Sequence, residues 1–349
     1  MSEIALILDQ VKSDYQNQNE LYRPASFWEN SAKKLVEVIV RDGLKEFRND
    51  ELMCQFFVPK YGVPTNSFDV ETVNEIESFL GENGTKKQKL AMKEFLSGYF
   101  HALSDYRVFL AADRKEIMPN LASFSECKWG KPIEQYEFDG KFYSRSSLNY
   151  LLGLCLLKRH LKPEDKIETI VEIGGGFGTL GEILSYTKAT KYIDLDISPT
   201  SFVAHQYLEH VYGINNINEY NQKWDVIEIE KLRRCSVLHS WQVEQLEGKI
   251  DLFVNFISFQ EMELNIVQNY LNQIKKTEPN WILLRNIKEG KQLRKENNKT
   301  GVLVPIVTED YIKMLEDQYE LIDRNIFPFG YKTVDGFHSE LTLYKRKGA

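Results

Sequence analysis

The stretch Ile167-Glu-Thr-Ile-Val-Glu172-Ile-Gly174-Gly-Gly176-Phe-Gly178-Thr-Leu decides how this chain reads. An apolar run ends in an acidic residue, and glycines then recur at every second position. The pattern predicts a strand, a tight turn and a helix. Only glycine lets a backbone pass close to a ligand and still turn into a helix, so this order suits a nucleoside-bearing cofactor at the end of a parallel sheet.

Two readings fit the glycines. As G-x-G-x-x-G, Gly176, Gly178 and Gly181 match a dinucleotide fingerprint, with Asp196 about twenty residues on. As E-x-G-x-G-x-G, Glu172, Gly174, Gly176 and Gly178 resemble the first motif of the S-adenosylmethionine-dependent methyltransferases. The acid two residues before the first glycine favours the second reading, because it is placed to meet a cationic amino group. The mid-chain position of the strand and the order of elements after it favour it too. An NAD(P)-dependent oxidoreductase and a non-catalytic binding subunit of methyltransferase fold remain the alternatives.

Outward from this motif, the C-terminal half alternates strands and helices. Strands are expected at Ile167–Ile173, Lys191–Ile197, Ser236–His239, Ile250–Ile257, Trp281–Asn286, Tyr319–Phe327 and Ser339–Lys345. Helices are expected at Ser146–Leu161, Thr179–Tyr186, after Ser198-Pro199, at Leu264–Ile274 and from Thr308 to about Gln318. Ser198 reads as an N-cap, with Pro199 at the first helical position. Such alternation predicts an α/β fold, a mostly parallel sheet with helices on both faces. Residues 1–140 read as a mostly helical N-terminal domain, with stripes over 31–40 and over 86–110, and 141–349 as the cofactor domain. A short strand is expected at Glu137–Tyr143.

Open α/β sheets bind ligands at the carboxyl ends of their strands. Asp196, at the end of the second strand, is the candidate for the ribose hydroxyls, since a carboxylate accepts two hydrogen bonds at once. Asp194 is a weaker candidate on the same face. Ile197 would pack on adenine, with Trp241 nearby, and the Gln242 carbonyl could accept from the adenine amino group. Gly175 within the loop and Asn255 in the fourth strand complete the expected cofactor side. Glu261 is the candidate base, with Gln260 beside it to orient substrate. His338 is a second candidate base, and His239 a weaker one. The polar run from Lys288 through Lys291, Arg294 and Lys295 to Lys299 could hold a phosphate, or could be a solvated loop.

The chain resembles a bacterial family of sugar O-methyltransferases. The resemblance rests on Tyr22-Arg-Pro-Ala-Ser-Phe-Trp28, Tyr143-Ser-Arg-Ser-Ser-Leu148-Asn-Tyr150-Leu, Glu172–Gly178, Asp194-Leu-Asp196-Ile-Ser-Pro and Asn255-Phe-Ile-Ser-Phe-Gln-Glu-Met262. It implies a Rossmann-like class I methyltransferase sheet of order 3-2-1-4-5-7-6, with the last strand pair antiparallel. It also implies S-adenosylmethionine as cofactor and methyl transfer to a hydroxyl of a sugar or nucleotide-linked sugar, in surface-polysaccharide assembly. Set against the plant-type O-methyltransferases, Gln260 stands where their catalytic histidine stands. Glutamine takes no proton, so that mechanism does not carry over unchanged. A homodimer is common among such enzymes.

The chain has 349 residues, 42% of them hydrophobic and 27% charged, as in globular proteins, with a net charge of −7. The acidic balance argues against a dedicated nucleic-acid binder. Neither a signal peptide nor a membrane-length apolar run is read. Four scattered cysteines without a C-x-x-C pair fit reduced thiols in the cytoplasm. Glu261 and Glu263 alone do not make a metal site, so no metal is expected.

Overall fold

The computed structural model describes residues 3–23, 26–61, 70–294, 301–333 and 336–348. Seven strands form the central sheet: β1 (Thr169–Ile173), β2 (Lys191–Asp196), β3 (Cys235–His239), β4 (Leu252–Phe256), β5 (Trp281–Ile287), β6 (Tyr319–Asn325) and β7 (His338–Arg346). Their spatial order is β3-β2-β1-β4-β5-β7-β6, the order that the family resemblance implies. The first five strands run parallel, and β7 is antiparallel to both β5 and β6. A two-residue strand, Tyr331–Lys332, lengthens the sheet against the start of β7.

Alternating side chains serve two apolar layers. Ile170, Tyr192, Leu252, Val254 and Leu283 face one cluster, while Val171, Ile193, Phe253, Ile282 and Leu284 face the other. The period of two makes this sorting automatic. On the first face pack α7 (Arg145–His160), α8 (Thr179–Ser185) and α9 (Thr200–Tyr212), and on the second α10 (Leu264–Lys276) and α11 (Thr308–Leu315). α7 opens with a capping box, in which the Ser144 hydroxyl accepts from the Ser147 amide and the Ser147 hydroxyl accepts from the Ser144 amide.

Among the described residues ahead of α7 lie six α-helices: α1 (Glu3–Gln16), α2 (Ser26–Asp42), α3 (Glu51–Phe57), α4 (Val70–Asn83), α5 (Lys86–Leu96) and α6 (Tyr99–Ala112). Their core is continuous with the first face of the sheet, because Leu35, Phe47 and Phe109 share a cluster with Leu151 and Leu252. Buried polar contacts also cross the junction, among them the Lys158–Asp113 pair and a cluster around Glu126. Glu126, fully buried, pairs with the equally buried Arg48 and accepts from the Ser144 amide at 2.6 Å and the Ser147 hydroxyl at 2.9 Å.

Three local expectations are corrected. The stripe over 86–110 is two helices broken at Gly98, whose φ of +81° suits glycine, and α5 buries none of its side chains. The strand over 137–143 is a hairpin, Tyr136–Phe138 against Lys141–Tyr143. Pro199 rather than Ser198 holds the N-cap of α9, with no side-chain bond to the helix.

Candidate functional site

A cavity of about 290 Å³ opens at the carboxyl ends of β1, β2 and β4. Sheet order reverses between β1 and β4, so the site sits where open α/β sheets take ligands. Its volume lies near the lower end of the roughly 300–1,000 Å³ usual for small-molecule sites. Gly174, Gly175, Gly176, Asp196, Ile197 and Glu261 all line it. The remaining candidates from the sequence do not.

The glycine loop is fixed by geometry rather than by propensity alone. Gly174, Gly176 and Gly178 have φ of +73°, +64° and +96°, the left-handed region that side chains disfavour. A Cβ on Gly175 would stand 2.7 Å from Asp194 Oδ1 and the Tyr192 hydroxyl, and one on Gly178 would meet Leu208 at 2.7 Å. At Gly176 a Cβ would meet nothing within 4 Å, since that position faces the open cavity.

Beneath the loop lie three carboxylates. Glu172 is fully buried and accepts from the hydroxyls of Tyr150 and Tyr192, each at 2.6 Å. Burial pushes its carboxyl up to about 7, although both hydroxyls favour the ionised form. Asp194 accepts from the Gly175 amide at 3.1 Å, and its Oδ2 is buried without a partner. Burial, then the charges of Asp196 and Glu172, hold it well above the usual carboxylate range. Asp196 accepts from the Gly176 amide at 3.2 Å and from its neighbour Ile197 at 2.7 Å, and burial pushes it up to about 7. Among the described residues no cationic side chain lies within ion-pair distance of any of the three. An acidic floor without a counter-ion favours a positively charged ligand.

The far wall comes from N-terminal segments and from the ends of β3 and β4. The Tyr15 hydroxyl lies 3.2 Å from the Asp196 carbonyl and 3.1 Å from Ser240 Oγ, which itself donates to the Tyr22 carbonyl at 2.8 Å. Tyr22 lies in the first segment of the family resemblance, whose Pro24 and Ala25 are outside the described residues.

Several expected site residues have other tasks here. Gln242 accepts from the His239 amide at 2.8 Å, capping the turn after β3. Trp241 stacks on His239 with centroids 4.5 Å apart. Burial, then the Lys223 charge, pushes that histidine down to about 3, which keeps it neutral. Asn255 donates to the Ile173 carbonyl at 2.9 Å and to Ser258 Oγ at 2.6 Å, tying β4 to β1. Gln260 accepts from the Ile287 amide at 2.8 Å. His338 bonds Glu289 through Nδ1 at 2.5 Å, away from the cavity lining. Glu261 is on the wall and pairs with Lys291 at 2.7 Å, so the described part of the basic loop turns toward the site. Lys295 and Lys299 of that loop lie outside the described residues, as does Asp335 before His338.

Other residues at the site went unread in the sequence, among them Tyr192, Asn149, Tyr270 and Arg285. Arg285 carried a signal, being a charge inside the apolar run Trp281-Ile-Leu-Leu-Arg285-Asn-Ile. Among the described residues no group of three or more His, Cys, Asp or Glu is placed to hold a metal ion. None of the described helices is long and apolar enough to cross a membrane. The four cysteines are free, three of them buried.

No family model matches the chain, and no curated protein matches it. Among solved structures it is similar to magnesium protoporphyrin IX methyltransferase (ChlM) from Synechocystis PCC 6803 with bound SAH, at 11% identity and a TM-score of 0.41, over 58% of this chain and 83% of that one. It is similar to the pyocyanin biosynthetic protein PhzM at 13% identity and a TM-score of 0.36, over 54% of this chain and 53% of that one. The glycopeptide N-methyltransferase MtfA complexed with sinefungin gives 11% identity and a TM-score of 0.37, over 57% and 87%. Likenesses this distant speak to no substrate and no residue role.

Proposed function

We propose that the chain is an S-adenosylmethionine-dependent O-methyltransferase acting on a hydroxyl of a sugar or nucleotide-linked sugar. The observation that carries the cofactor is Asp196 on the cavity lining, with two further carboxylates buried behind it. Glu172, Asp194 and Asp196 lie buried beneath an open glycine loop without a cationic partner among the described residues. S-adenosylmethionine brings an ammonium and a sulfonium, and Asp196 on the cavity lining beside the open face of Gly176 leaves room for such a group. The bound cofactor would supply an electrophilic methyl carbon.

The rest is the work of this chain's residues. Asp196 would accept from the ribose hydroxyls, and Gly174–Gly176 would carry the ligand's polar tail. Ile197 would pack on the base. Glu261, on the cavity wall, would take the proton from the acceptor hydroxyl. Trp28, Phe56 and Phe57, which line the cavity, would exclude water. Aligning the acceptor oxygen in a dry site supplies much of the rate in a displacement of this kind. The sugar acceptor rests on the sequence resemblance.

Calorimetric titration with S-adenosylhomocysteine, in parallel with NADH, tests the reading. Saturable binding of the first, weakened about tenfold or more by Asp196→Ala, is expected; tenfold is about 1.4 kcal/mol, ordinary for a lost charged hydrogen bond. Binding of NADH alone would sink it.

A further inference from the structure

Arg285, on β5, is fully buried and lines the same cavity as the glycine loop. Its Nη2 donates to the Asn149 carbonyl at 3.0 Å and to the Phe329 carbonyl at 2.8 Å, and Nη1 to Ser339 Oγ at 3.4 Å. Its Nε is buried with no partner. Among the described residues no carboxylate lies within ion-pair distance of it. The guanidinium rests over the Phe256 ring, 5.2 Å from its centroid, and that ring stacks on Tyr150 at 4.6 Å.

The charged groups around Arg285 do not neutralise it. The carboxylate whose charge acts on it is Asp105 on α6. That carboxyl is held by the Tyr61 hydroxyl, and burial pushes it above the usual carboxylate range. Arg145, at the start of α7, adds a second positive charge and donates to the Tyr331 hydroxyl at 2.9 Å and the Lys60 carbonyl at 3.4 Å. A buried guanidinium without a carboxylate is costly unless an anion completes it. The cavity is therefore electrically two-sided. Its acidic side is Asp196 at the end of β2, with Glu172 and Asp194 buried behind it, and its basic wall lies on β5, beyond β4.

We propose that Arg285, backed by Arg145, receives an oxyanion of the methyl acceptor, either a phosphate or a carboxylate, at the cavity wall that it lines. The proposal rests on the methyltransferase reading, and it narrows the acceptor class from any sugar to an acidic or phosphorylated one. β5 is two strands from β1, roughly 10 Å at about 4.8 Å per strand. The guanidinium thus stands to the side of the floor that would hold the cofactor's cationic groups.

The test is calorimetry with two probes, inorganic pyrophosphate and succinate, each titrated into protein with and without saturating S-adenosylhomocysteine. Saturable binding of one probe is expected, and the probe that binds identifies a phosphate or a carboxylate. Arg285→Met should weaken that binding by about tenfold or more, while S-adenosylhomocysteine affinity stays within about threefold. Arg285→Lys keeps the charge but loses the Nε–H, and should weaken the probe by about threefold or more; it serves if the Met variant does not fold. Failure of both probes to bind overturns the proposal, and so does unchanged probe affinity in a folded variant. A third result overturns it as well. If Arg285→Met weakens S-adenosylhomocysteine but not 5′-methylthioadenosine, which lacks the amino-acid tail, the guanidinium serves the cofactor's own carboxylate. Failure of the methyltransferase reading itself shows separately, as absence of S-adenosylhomocysteine binding by the unmutated protein.

Discussion

Glu172 and Asp194 are register partners on the parallel strands β1 and β2, and both are fully buried. Like charges opposite one another destabilise a sheet. The pair is tolerable if protonated, or if a cation lies above it. Glu172 is raised from 4.5 to about 7, so between those values the folded state holds a proton that the unfolded state has lost. Stability from this group is complete below pH 4.5 and falls as pH rises toward 7. Asp196, raised from 3.8 to about 7, acts in the same direction. At about 1.4 kcal/mol per unit, each contributes on the order of a few kcal/mol. Ligand-free protein should therefore melt at a lower temperature at pH 8 than at pH 5.5, as followed by circular dichroism. Glu172→Gln should flatten that slope and raise the melting temperature at pH 8. A slope unchanged by the substitution would show that the burial of Glu172 is not its source. S-adenosylmethionine should release protons on binding near pH 7, seen as a binding heat that varies with buffer ionisation enthalpy.

Two glycines separate folding from binding. A Cβ at Gly181 would stand 2.6 Å from the Tyr192 ring and 2.8 Å from Leu208, inside the core. Gly181→Ala should cost about 1–3 kcal/mol by overpacking. Gly176→Ala meets nothing in the protein but keeps a φ of +64°, a strain of about 1–2 kcal/mol. It should leave a folded protein whose S-adenosylhomocysteine binding is weakened far beyond that strain. Denaturant melts beside calorimetry distinguish the two, and normal binding by Gly176→Ala would place the ligand elsewhere.

Gln260 and Glu261 are adjacent but point to different partners. Gln260→Leu strips the Ile287 amide of its acceptor and should cost about 1–3 kcal/mol of stability. Glu261→Gln breaks the contact with Lys291 at the cavity wall and, as loss of a general base, should lower turnover about a hundredfold or more. Turnover is read by radiolabelled methyl transfer to an accepted sugar. Its pH profile should move for Glu261→Gln alone, and an unmoved profile would remove Glu261 as the base.

The sheet was legible because each strand is an apolar run stopped by a turn or helix signal, and period-two burial leaves little freedom in register. The glycine loop was legible because positive φ is written as glycine. The caps were not: Gln242, Asn255 and Gln260 are polar residues at strand ends, and sequence does not tell a ligand contact from a backbone contact there. The break at Gly98 was hidden because the apolar spacing of 86–110 continues through it, although α5 buries none of its own side chains. Arg285 was passed over inside an apolar strand, where a lone charge was the sign of a site.

The buried Arg48–Glu126 pair shows how the protein should come apart. Glu126 holds the loop after α2 through Arg48 and the start of α7 through Ser144 and Ser147, so one buried carboxylate ties the N-terminal segments to a helix that packs on the sheet. Removing one member of a buried pair costs about 3–5 kcal/mol, and here that loss loosens both sides at once. Heating should therefore give one calorimetric peak for the whole chain rather than one for each half. In Glu126→Gln that peak should move down without splitting, so the N-terminal helices could not be shed as a stable fragment.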